Sequence, residues 1–254
     1  MKYPFWETDW QNIKFTSLDV PLKLFRRASA DFYSAFYSEL FKNYNTYDEL
    51  PLNWKKEKSD TAQELLSLID KRKSALSIGS GLGYVEKEIV SHAQSLTIDA
   101  YDFTDTASKW LGEVDRVNAL TSLSKTSRYQ FIYCTQLIYA LSDSEIIELA
   151  ELVRNHLDQS GLFVTIDSSS NPTENGGLKS PRSQLKKILK IIFSPLYYLL
   201  FKNTSAQFWG WQRNNDEIIS HFKKKGMIVE KTFSAVGQSF IVFRADNCLS
   251  TQRS

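Results

Sequence analysis

The chain reads as an α/β protein. It predicts a doubly wound, mostly parallel seven-stranded sheet with an antiparallel C-terminal strand pair, an N-terminal helical extension and a helical insertion after the fifth strand. Three observations predict this. From about residue 60 onward, apolar β-rich runs alternate with amphipathic helical stretches. Alternating glycines, Gly79, Gly81 and Gly83, stand between a strand and a helix start. The last two strands are joined by a short turn at Gly237, which makes them antiparallel.

Each element follows from local pattern. Residues 1–21 read as irregular, broken by Pro4 and Pro21. Phe25, Ala28, Phe32, Phe36 and Leu40 recur at helical spacing and predict a helix from Leu22 to about Tyr44. Residues 45–59, with Pro51 and a Lys-rich run, read as a linker. A helix at about 61–71 follows, capped by Asp60 or Thr61. The expected division is a 1–58 helical extension and a 59–254 main domain, with an insertion or lid at 168–213.

Leu76–Ile78 is a strand, and a helix runs from the glycines to about Val90. Ser95–Tyr101 is the second strand, with a helical stretch near Thr106–Leu111 and a short third strand at Val117–Leu120. Tyr129–Cys134 is the fourth strand. Ser142 and Glu145 form a capping box that opens a helix to about Asp158, and Gly161 turns the chain into the strand Leu162–Ile166. Asn214 caps a helix that ends at Gly226, and Met227–Phe233 and Phe240–Arg244 close the sheet.

The bulk numbers exclude several classes. The 254 residues carry 31 basic and 29 acidic side chains, a net +2 that gives no case for nucleic-acid binding. Two cysteines, Cys134 and Cys248, do not make a disulfide scaffold and suit a reducing, cytoplasmic compartment. The N-terminus has acids and lacks an apolar stretch, so it does not read as a secretory signal. No uninterrupted apolar run reaches the roughly 18 residues of a membrane span. No spacing suggests a metal site.

A glycine loop between strand and helix lets backbone approach a ligand closely. Asp102 ends the second strand, where a carboxylate can accept from two ribose hydroxyls. Taken singly, the glycines could be a tight turn and Asp102 a helix cap; their joint spacing carries the inference. A dinucleotide fingerprint needs a small third residue where this chain has Tyr84.

With these residues the chain resembles the class I S-adenosylmethionine (SAM)-dependent methyltransferases over roughly residues 60–245. The first motif matches Ser77-Ile-Gly79-Ser80-Gly81-Leu82-Gly83, and the ribose acid matches Asp102. Asn118 falls at the adenine-side position, and Phe131–Tyr139 resembles the fourth-strand motif. The resemblance implies SAM as cofactor, held by Ser77, Gly79, Ser80, Gly81, Gly83, Asp102, Phe103, Asn118, Ala119, Cys134 and Gln136. Ser77, Asn118 and Gln130 stand where relatives often carry an acid, which also keeps open a catalytically silent binding module.

Methyl transfer to oxygen needs a positioned acceptor and a base. His92, His156 and His221 all fall on helix bodies and read as structural. Strand ends offer Asp167, as base or as loop cap, and Tyr139, as pocket wall or as core. Residues 184–202 read as an amphipathic basic helix, either a lid or a peripheral membrane contact. Phe208-Trp-Gly-Trp211 supplies rings suited to a sugar or a lipid interface. The expected function is O-methylation of a sugar or lipid-linked glycan in surface polysaccharide biosynthesis. The alternative is a quinone, lipid or small-metabolite acceptor at the membrane surface.

Overall fold

A seven-stranded sheet organises the chain. The structure is a computed structural model that describes residues 2–104, 107–168 and 205–246. In chain order the elements are β1 (Tyr3–Glu7), β2 (Asp9–Trp10), β3 (Ile13–Lys14), α1 (Ala30–Asn43), α2 (Leu52–Ile69), β4 (Ser74–Ile78), α3 (Tyr84–His92), β5 (Thr97–Tyr101) and β6 (Val117–Leu120). There follow β7 (Tyr129–Thr135), α4 (Asp143–His156), β8 (Leu157–Ser168), β9 (Gln207–Gln212), α5 (Asn215–Lys223), β10 (Met227–Ala235) and β11 (Gln238–Ala245).

The main sheet has the order β6-β5-β4-β7-β8-β11-β10. Its first five strands are parallel, and β11 and β10 are antiparallel, as the sequence predicts. The strand order reverses between β4 and β7, so the crevice for a ligand opens at their C-terminal ends. Alternation along the strands feeds two cores. Ala75, Phe131, Tyr133 and Phe240 face α2 and α3, while Leu76, Ile132, Cys134 and Phe243 face α4 and α5.

Three sequence expectations change. The helix at 61–71 starts at Leu52, directly after Pro51, so the Lys-rich run of the supposed linker forms its first turns. Lysine is a good helix former, and proline is tolerated at a helix start. Thr61 is therefore no cap: its hydroxyl donates to the Glu57 carbonyl one turn back, at 2.8 Å. The first long helix begins at Ala30, not Leu22. Ser29 caps it, and the backbone of Lys23 is drawn off to Gln207 and Phe208.

The N-terminal residues are not irregular throughout. β1 pairs antiparallel with β9, nearly the whole chain away, and β2 and β3 form a hairpin over Gln11 and Asn12, both at positive φ. Beneath them lies a third core of Phe15, Phe32, Phe36, Leu40 and Trp209. The expected helix at 184–202 lies outside the described residues.

Candidate functional site

The site begins at the end of β4. Gly79, Gly81 and Gly83 take φ of 74°, 55° and 77°, backbone that side-chain-bearing residues rarely adopt. A Cβ on Gly83 would lie 2.0 Å from Leu111, so this glycine lets the loop close onto the 107–113 turn. The loop is tied to β5: Gly79 N–H donates to the Tyr101 carbonyl at 2.7 Å, and Gly81 N–H donates to Asp102 Oδ2 at 2.9 Å. Asp102 Oδ1 accepts from the Thr104 amide and hydroxyl at 3.0 and 2.8 Å. A carboxylate has about four acceptor positions, so Oδ2 retains capacity.

Over this loop opens a cavity of about 670 Å³. One wall is the loop with Asp102, the exposed ring of Phe103, and Gln136. The facing wall is aromatic: Trp10, Tyr33, Phe36, Tyr37, Tyr139 and Trp209. Trp10 stacks on Phe36 at 4.7 Å, and Trp209 stacks on Phe15 and Tyr139 at 5.2 and 6.3 Å. A Cβ on Gly210 would lie 2.1 Å from the Tyr139 carbonyl, so only glycine lets β9 come this close. Burial pushes the Tyr33 phenol up to about 12, with the Asp102 charge adding to it. Burial also raises Tyr37 and Tyr139 well above the usual phenol value. At neutral pH these hydroxyls keep their protons and can donate hydrogen bonds.

The turn bearing Tyr139, residues 138–140, is strapped from two sides. Arg27 donates to the Ala140 carbonyl at 2.8 Å and to Glu145 at 2.6 Å. Arg213, almost fully buried, donates to the carbonyls of Ile138 and Leu141 and to Asp143. Arg213 also faces Glu217 at 3.7 Å, so it already neutralises the acids of the nearby Asp143, Glu217 and His221 group. Behind the turn stands Asp167. Its Oδ2 accepts from Thr165 at 3.0 Å, and its Oδ1 is sealed from solvent without a well-formed hydrogen bond, near the amides of Ile138 and Tyr139. Burial raises its carboxyl to about 6.

Of the expected site residues, Gly79, Ser80, Gly81, Gly83, Asp102, Phe103, Gln136 and Tyr139 all line the cavity. Ser77, Asn118, Ala119, Cys134 and Asp167 do not. Ser77 lies beneath the loop and donates to Glu86 at 2.6 Å. Asn118 is the register partner of Asp99 on β5 and donates to its carboxylate at 2.8 Å. Ala119 lies exposed on β6, and Cys134 points into the core under α4. Asp167 is kept from the cavity by the 138–140 turn. Of the facing wall the sequence reading named Tyr139 and the Phe208–Trp211 rings; it missed Trp10, Tyr33, Phe36 and Tyr37, and Trp54 and Lys58 of α2, which also line the cavity. The α1 stripe was legible, but its destination was not.

Sheet order, glycine loop and strand-end acid together define the fold of the class I SAM-dependent methyltransferases. Solved structures with this fold superpose on the chain. The DhpI–SAH complex (SAH, S-adenosylhomocysteine) gives a TM-score of 0.59 at 14% identity, covering 86% of this chain and 95% of that one. Human N-acetylserotonin methyltransferase in complex with SAM gives 0.56 at 14% identity, covering 86% and 57%. The mitomycin 7-O-methyltransferase MmcR gives 0.57 at 15% identity, covering 85% and 63%. The chain thus spans about three fifths of the length of the latter two. No protein-family model matches the sequence, and no curated protein matches it either.

Proposed function

We propose that the chain is a SAM-dependent methyltransferase acting on an oxygen of a small, flat acceptor. The observation that carries this is one cavity with two unlike walls. The glycine-loop wall fits a nucleoside with an amino-acid tail: Asp102 Oδ2 has acceptor capacity for ribose, and the loop comes close because its glycines lack Cβ atoms. The hydroxyl of Ser80, which also lines the cavity, is buried without a hydrogen-bond partner among the described residues. When bound, SAM supplies an electrophilic methyl group. The chain's residues position the acceptor and exclude water.

The aromatic wall favours a planar acceptor with a hydroxyl, in line with a quinone-like or small-metabolite substrate. A sugar or lipid-linked glycan could stack on the same rings, but the wall offers it few hydrogen-bond partners beyond tyrosine hydroxyls. All three histidines lie outside the cavity: His92 ends α3, His156 ends α4 and His221 lies on α5. The tyrosines are held protonated. Among the described residues the other ionisable oxygens of the cavity are the carboxylates Asp102, Glu145 and Glu148, so an acceptor hydroxyl that ionises readily, or that gives its proton to water or to one of these carboxylates, suits the site. Peripheral membrane contact through 184–202 stays part of this proposal. No helix of the described residues is long and apolar enough to cross a membrane.

Thermal unfolding tests the reading. SAH at about 100 times its dissociation constant adds about 2.7 kcal/mol. For a chain of this size that should raise Tm by roughly 5–10 °C. An unchanged Tm at millimolar SAH would overturn the proposal.

A further inference from the structure

A buried lysine lines the same cavity as Asp102. Lys58, on α2, has a side chain only 11% exposed, yet it lines the cavity beside Trp54. It makes no hydrogen bond among the described residues. Its ion pair with Glu57 spans 3.6 Å, and that Glu57 oxygen already accepts from Gln136 and Gln238 at 3.0 and 3.2 Å. Glu57 and Glu86 stand behind the lysine and do not line the cavity. The lysine ammonium also lies 5.9 Å from the centre of the Trp54 ring; an ammonium has three donors, and burying it with only these long contacts is costly.

The position is specific. Glu57 is bonded to Gln136, which follows β7 at the point where the strand order reverses. The cavity floor therefore has an anion at the tip of β5 and a cation beside the β4–β7 junction. A cavity that presents both charges suits a ligand with ribose hydroxyls and a carboxylate.

We propose that Lys58 anchors the carboxylate of the cofactor's amino-acid end, a role that rests on the SAM reading above. The carboxylate would add a close, charged partner to the long ion pair with Glu57 and the Trp54 ring face. Burial lowers the Lys58 pKa by more than the neighbouring acids raise it, as expected of an under-compensated charge. Glu86 also bears on Ser77. The acid that relatives often carry at the end of the first strand is here a serine, and the carboxylate reaches the same spot from α3, accepting from Ser77 at 2.6 Å and Tyr133 at 3.0 Å. A carboxyl thus still stands beside Ser77, on Glu86, with burial raising its pKa.

Calorimetry on the full chain with two probes separates the outcomes. SAH carries the amino-acid end, and 5′-methylthioadenosine lacks it. Lys58→Met should weaken SAH by about 10- to 100-fold, the range for one charge-assisted hydrogen bond, and leave 5′-methylthioadenosine within about 2-fold. Lys58→Arg should restore most of the SAH affinity. Unchanged SAH affinity in Lys58→Met would overturn the assignment, and so would an equal loss of both probes. Wild-type protein that binds neither probe would instead overturn the cofactor reading.

Discussion

The two walls of the cavity are built in opposite ways. The glycine-loop wall comes mainly from one continuous stretch, β4 through Phe103, with Gln136 added after β7, and its loop is tied down by backbone amides donating to Tyr101 and Asp102. The aromatic wall gathers β2, α1, the 138–140 turn and β9, and is held by ring packing and two arginine straps. A wall made of local backbone leaves a local pattern in the sequence. A wall made of distant side chains leaves only scattered aromatics. On the proposed function, the first wall takes the cofactor and the second the acceptor.

The largest test of that contrast removes a ring. Trp209→Ala takes away a buried side chain that packs on Trp10, Phe15, Phe32, Tyr33 and Tyr139. It should cost about 3–5 kcal/mol in urea unfolding. SAH affinity should stay within about 3-fold in the folded fraction, because the loop wall is built separately. A collapse of SAH binding would show that the walls are one unit.

The support behind the aromatic wall titrates. The folded Asp167 carboxyl, raised from 3.8 to about 6, disfavours folding when it is ionised. Stability should therefore rise as pH falls from above 6 to below 4. Asp167→Asn should gain roughly 1–3 kcal/mol at pH 8 and close to none below pH 4. Urea midpoints at the two pH values check this, and an equal effect at both would remove the buried charge as the cause.

The smallest effect lies where the walls touch. A Cβ on Gly81 would sit 3.1 Å from the Tyr37 hydroxyl, at a φ of 55°. Gly81→Ala should cost about 1–2 kcal/mol. Adding Tyr37→Phe should return a few tenths of that through the lost contact. Strict additivity in the double-mutant cycle would mean that the cost is backbone strain alone.

How much was legible follows the same division. Gly79, Gly81, Gly83 and Asp102 were readable because their spacing is set by one turn and one strand. Asn118 and Cys134 fell at the right places along their strands but on other faces or partners. Register puts Asn118 beside Asp99, and strand alternation turns Cys134 into the core. Lys58 was hidden in a run that reads as polar linker, because helix propensity and burial from α2–α3 packing leave no apolar mark on a lysine. The pairing of β1 with β9 joins residues separated by nearly the whole chain, which no local pattern encodes.

The most direct test of the central claim is calorimetric titration of SAH into the wild type and Asp102→Ala. The wild type should bind with a dissociation constant in the micromolar range, and loss of the carboxylate should weaken it by about 10- to 100-fold, since a ribose acceptor and an anchor of the Gly81 amide are both lost. Equal affinity in both proteins, or no heat of binding at millimolar SAH, would contradict the assignment of this cavity as a SAM site.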